Sequence, residues 1–79
     1  MYIEMKSLDP AKNRYRYYIL SDYQGDLFSS HVLETRWGRI GTNGSHKNYI
    51  FSSSVELNKK VNHVLKQRTR HGYKIVQTV

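Results

Sequence analysis

The chain has 79 residues, 13 of them Lys or Arg against 6 Asp or Glu, a formal net charge of +7, and no cysteine. That length holds one hydrophobic core and one domain, residues 1–79, and the missing cysteine excludes a disulfide scaffold, Cys-ligated zinc, an iron–sulfur centre and a thiol nucleophile. No apolar run approaches the roughly 18 to 20 residues of a membrane span, and Met1 to Pro10 lacks the basic start and apolar stretch of a signal peptide. A cytoplasmic protein is therefore expected, free or nucleoid-associated, with no membrane partner and with polyanions favoured by its charge.

Tyr2 to Leu8 alternates loosely and predicts a first strand, stopped at Asp9-Pro10, where proline removes a donor and turns the chain. Arg14 to Asp22 is the clearest strand, with Tyr15, Tyr17 and Ile19 on one face and Tyr18 and Leu20 on the other. Aromatic and apolar side chains on both faces predict a central position. Gln24-Gly25-Asp26 predicts a loop, and Phe28 to Trp37 a third strand with Val32 and Leu33 on opposite faces. Gly41-Thr42-Asn43-Gly44 is a hairpin signal, because Gly and Asn tolerate the positive φ that such turns require. His46 to Phe51 is the expected return strand.

The single helix signal follows. Ser53 with Glu56 three residues later fits a capping box, and Leu57, Val61, Val64 and Leu65 make a narrow apolar stripe. Lys59, Asn62, His63, Lys66 and Arg70 fall on the opposite face. Gly72 is placed to cap the helix after Arg70, and Tyr73 to Val79 returns as a last strand. The resulting order, β-β-β-β-α-β, predicts an α+β fold: an antiparallel sheet of about five strands with one amphipathic helix packed on one face.

Catalytic chemistry finds no support in the residue pattern. The six acidic residues are scattered, without a spacing that holds two carboxylates together. His63 and His71 flank the helix end without a third nearby ligand, and His31 and His46 sit on separate predicted strands. Ser52-Ser53-Ser54 reads as a helix entry, and the glycines at 38, 41 and 44 match no phosphate-binding loop. No enzymatic activity, catalytic residue, metal or cofactor is expected. Trp37-Gly38-Arg39 stands apart: on an extended backbone Trp37 and Arg39 project to the same side, an aromatic plane beside a guanidinium. That pairing suits a sugar or base face next to a phosphate.

The chain resembles a WGR domain, the module named for the residues found here as Trp37-Gly38-Arg39 and present in DNA-dependent poly(ADP-ribose) polymerases and in small bacterial proteins. Asp9-Pro10-Ala11-Lys12-Asn13 followed by Arg16-Tyr17-Tyr18 is similar to the family's entry strand, and Asp26-Leu27-Phe28 to its approach to the motif. Ile40, Gly41 and Gly44 extend the central match, and Arg68 before Gly72-Tyr73 resembles the helix end. Ser45 departs from it, standing where glutamine is often found. The resemblance runs from about Leu8 to Tyr73 and is nearest the stand-alone bacterial form.

The resemblance implies a sheet with one packed helix and DNA binding at strand breaks. It implies that Trp37 packs on a backbone sugar near a 5′ side, with Gly38 and Arg39 at the same contact, Asn13 before the entry strand and Arg68 at the helix end. The expected partner is DNA at ends, nicks or gaps, read with little sequence specificity because no basic helix is placed for a major groove. Arg39 and the Gly38 amide are expected at phosphate, with Lys47 extending the contact. Two alternatives use the same residues: an adaptor that binds a separate protein, as the polymerase module relays signals to its neighbours, and a single-strand binder using the tyrosines as a stacking platform. Any catalysis is expected to come from another chain.

Overall fold

The computed structural model describes residues 1–24 and 31–79. Strands β1 (Tyr2–Asp9), β2 (Arg14–Gln24), β3 (His31–Arg39) and β4 (Ser45–Phe51) precede helix α1 (Ser54–Arg70) and strand β5 (Lys74–Thr78). The five strands form one sheet in the order β4-β3-β2-β1-β5, and every pairing is antiparallel. With one helix of 17 residues, this is the α+β architecture that the patterning predicts.

β2 lies at the centre, as expected from its two-sided apolar content. Tyr18 sits between Met5 of β1 and Trp37 of β3, and Leu20 between Ile3 and Thr35. Successive residues alternate faces, so Met5, Tyr18, Leu20 and Leu33 share the helix side. There they meet Leu57, Val61 and Val64 of α1, together with Tyr73, to form the core. Removing each such helix side chain from water stabilises the packing by roughly 1.5–3 kcal/mol. Leu65, the fourth residue of the stripe, flanks the core and is only half-buried.

Both helix ends are stopped by local hydrogen bonds. At the start, Ser53 Oγ accepts from the Glu56 amide at 3.2 Å. The Glu56 carboxylate accepts from Ser52 Oγ at 3.3 Å, a neighbouring hydroxyl in place of the amide that a full capping box would use. At the end, Gly72 adopts φ +87°. Its amide donates to Thr69 O and the Tyr73 amide to Arg68 O, the paired bonds of a Schellman turn. Tyr73 is thereby turned inward to the core, so β5 begins at Lys74, one residue later than expected.

Other boundaries also differ from the pattern: β1 runs on to Asp9 and β3 to Arg39, past the expected ends at Leu8 and Trp37. β2 continues to Gln24, which pairs with His31, because β3 supplies ladder partners beyond the expected stop at Asp22. β4 starts at Ser45, opposite Trp37. The expected loop at Gly25-Asp26, the strand start at Phe28 and the Asp26-Leu27-Phe28 stretch lie outside the described residues.

The β3–β4 turn uses its glycines in two ways. Gly41 has φ +91° and Gly44 has φ +62°, both in the left-handed region. A Cβ at Gly41 would meet nothing within 4 Å, whereas one at Gly44 would collide with the Trp37 carbonyl and the Tyr17 hydroxyl. Gly41→Ala is therefore expected to cost about 1–2 kcal/mol through backbone strain alone. Gly44→Ala should cost about 3 kcal/mol or more, because collision with backbone is added to the same strain. Urea unfolding of the two variants measures the difference; equal losses would refute the packing role of Gly44.

Candidate nucleic-acid interface

The register β2–β3 pairs Tyr18 with Trp37 and Arg16 with Arg39. Arg14, Arg16 and Tyr18 alternate along β2, as Trp37 and Arg39 do along β3, so these residues start from the helix-bearing face at one end of the sheet, where the Arg39 guanidinium reaches round the end of β2 to the Tyr15 ring of the opposite face. The C-terminal end of α1 reaches the same place: Arg14 Nη2 donates to His71 O at 2.9 Å. A guanidinium there also complements the negative end of the helix dipole. An open recess of about 580 Å³ results, lined by Lys12, Asn13, Arg14, Arg16, Gly38 and Arg39. Four of the six are cationic and none is acidic. Asp9 lies opposite Arg14 in the β1–β2 register, but among the described residues no carboxylate is within ion-pair distance of these four cations.

Arg39 reaches across the end of β2 to Asn13. Its Nη2 donates to Asn13 Oδ1 at 3.2 Å and its Nη1 to Asn13 O at 3.4 Å, while the guanidinium lies 5.4 Å from the Tyr15 ring centroid. Asn13 can serve because it is left-handed, φ 53° and ψ 41°, following the short 3-10 turn Pro10–Lys12. Asparagine tolerates that conformation better than most residues with a Cβ. Two residues from opposite ends of the expected site are thus held as one unit.

Trp37 is half-buried, packed against the core and stacked on Tyr18 with centroids 6.0 Å apart and planes 17° from parallel. Arg68 lies 4.5 Å from the Tyr18 centroid and 5.9 Å from that of Tyr73. Tyr73 in turn meets Tyr18 edge-on at 6.3 Å, with Arg14 at 5.8 Å from its ring. Burial pushes the Tyr18 phenol above its ordinary pKa, partly opposed by the Arg68 charge, so the ring is neutral under Arg68 at neutral pH. Arg14 Nε and Arg68 Nε are both buried without an acceptor among the described residues. Each guanidinium is fixed by its ring and keeps unspent hydrogen-bonding capacity.

Of the residues expected from the sequence, Asn13, Gly38 and Arg39 share the recess, and Arg68 is joined to Trp37 through Tyr18. Lys47 stands apart, paired with Thr35 on the other side of Trp37 but on the same face. Gly38 has a structural reason to be glycine: a Cβ there would lie 2.8 Å from Gly44 Cα. The Ile40 amide donates to Tyr15 O at 2.9 Å, so antiparallel alternation turns the Gly38 amide toward Tyr17, inside the sheet. The sequence reading missed Lys12, Arg14 and Arg16. Their signal was the alternation of Arg14 and Arg16 with Tyr15 and Tyr17, which already put both arginines on the Tyr18 face.

A five-stranded antiparallel sheet carrying one helix, with a stacked tryptophan beside a cationic recess at the strand ends, defines a small basic binding module. The chain belongs to the WGR domain family, whose domain matches residues 1–78. That domain is a nucleic-acid-binding module and is not a catalytic one. The chain is also 34% identical over 74 residues to the uncharacterized protein y4dW of Sinorhizobium fredii (strain NBRC 101917 / NGR234), an alignment covering 94% of this chain and 35% of that protein. The present chain thus spans about a third of the length of that relative.

The Asn13–Arg39 contact yields a clean test. Asn13→Gly keeps the left-handed backbone and should change stability by less than about 0.5 kcal/mol, whereas Asn13→Ala should lose about 1 kcal/mol. The glycine variant also removes Oδ1, so 15N relaxation at Arg39 Nε should show a more mobile guanidinium. An equally rigid Arg39 in that variant would mean that the Asn13 side chain does not hold it.

Proposed function

We propose that this chain binds DNA by its backbone at an end, nick or gap, without catalysis. The observation that carries the reading is the Trp37 ring, held on Tyr18 and next in the chain to Gly38, which lines a recess with four cations and no acid. Trp37 packs on a sugar exposed where the duplex is interrupted. Arg39, steadied by Asn13, meets a phosphate together with Arg16 and Lys12, while Arg68 and Arg14 brace the aromatic stack and offer their remaining donors. Gly38 contributes shape, letting the β3–β4 turn fold back beside the tryptophan. Lys47 extends the contact along β4.

The tyrosine-platform alternative is weakened by where the rings lie. Tyr18 is enclosed by Trp37, Arg68 and Tyr73. Tyr15 and Tyr17 occupy the opposite face of β2, and the Tyr17 hydroxyl donates to Thr42 O at 3.1 Å. They do not continue the Trp37 surface.

A fluorescently labelled nicked duplex should bind more tightly than a closed dumbbell of the same sequence that has no ends. Trp37→Ala should abolish that preference and weaken nick binding by about tenfold, the scale of one aromatic stacking contact. With about four phosphates neutralised, log affinity should fall against log salt with a slope near 3 to 4. Equal affinity for nicked and closed DNA, unchanged in Trp37→Ala, would overturn break recognition.

A further inference from the structure

We propose that Lys47 of β4 and Lys60 of α1, gathered on Tyr49, form a second phosphate-binding pair on the far side of Trp37 from the arginine recess. The inference rests on the DNA reading above. Lys47 Nζ lies 4.9 Å and Lys60 Nζ 4.6 Å from the Tyr49 ring centroid. The β3–β4 register sets Ser45 opposite Trp37, Lys47 opposite Thr35 and Tyr49 opposite Leu33. Lys47 and Tyr49 therefore share the face of Trp37. Lys60 precedes the core residue Val61 and is itself half-buried, so α1 holds its ammonium over this part of the sheet.

Two ammoniums at one ring repel each other, and the π face offsets only part of that cost. Neither has a carboxylate within ion-pair distance among the described residues. The nearest acid along β3, Glu34, lies on the opposite face and pairs with Arg36. A phosphate supplies the missing charge, and Tyr49 holds both ammoniums close to one ring before it arrives. A DNA backbone strand would then cross β3 and β4, with the arginine recess at one end, Trp37 in the middle and the lysine pair at the other.

The test titrates the nicked duplex over a salt series with Lys47→Ala/Lys60→Ala and with Lys59→Ala/Lys66→Ala, which removes equal charge from exposed positions on α1. Loss of the pair should weaken binding at least about fivefold and lower the salt slope by about one to two, since each phosphate contact contributes about 0.9. The Lys59/Lys66 variant should move the slope by less than half as much, and the preference for nicked over closed DNA should survive in both. Lys47→Gln/Lys60→Gln, which keeps the stems on Tyr49, should reproduce the loss in a normally folded protein. Equal slopes in the two alanine variants, with wild-type nick binding intact, would overturn the lysine pair alone. Wild-type protein that binds neither duplex would overturn the pair and the DNA reading together.

Discussion

The packing around Tyr18 is the contact on which this structure depends. Its backbone belongs to the central strand, its ring is 6% exposed, and three separate parts of the chain converge on it. Trp37 reaches it from β3, Arg68 from the last turn of α1, and Tyr73 from the Schellman turn. A desolvated cation–π contact is worth about 2 kcal/mol and an aromatic pair about 0.5–1.5 kcal/mol beyond area burial. These contacts therefore fix the position of Trp37 relative to the helix end as well as holding the core. A ring that must meet a ligand benefits from being immobile beforehand, because less conformational entropy is lost on binding.

The same arrangement turns a net charge into a directed one. Glu4 and Glu34 lie on the sheet face away from the helix, where Glu34 is engaged by Arg36. Asp22 is bonded to the N-terminal ammonium at 2.8 Å, and Glu56 serves the start of α1. Lys12, Arg14, Arg16 and Arg39 instead collect around the recess beside Trp37. Among the described residues Asp22, Glu34 and Glu56 are thus spent on local structure, while four cations without a carboxylate partner gather where the proposed DNA contact lies. A field arranged in this way raises encounter rates as well as affinity, and both fall as salt screens it.

Much of this was legible in the sequence, for reasons that differ by element. The helix was readable because caps and apolar spacing are local: Ser53, Glu56, Leu57, Val61, Val64 and Gly72 each act within a few residues of one another. The central position of β2 agreed with its run of bulky residues on both faces, although the edge strand β4 also carries Tyr49 and Ile50 on opposite faces. Arg14 and Arg16 were missed although their parity was visible, because their importance depends on being opposite Arg39 and beside His71. Those are long-range facts. Lys60 is harder still, since on the helix it flanks the apolar stripe, and only Tyr49 on a different element gives its ammonium a defined place.

Gly38 shows why a residue motif can be recognised before its parts are understood. A glycine between tryptophan and arginine invites the thought that its backbone is bare for a ligand. In the structure the missing Cβ makes room for Gly44, and the ladder turns the Gly38 amide toward β2. The three residues therefore act in different ways at one corner of the sheet: Trp37 stacks on the core, Gly38 lets the turn close against the strand, and Arg39 ties the turn before β2 to the end of β3. Replacing the glycine with any larger residue would push the β3–β4 turn away from Trp37 without removing any cation of the recess. Loss of binding in such a variant would report the shape of the corner, and only substitutions at Trp37, Arg39 and the flanking cations can report the contact itself.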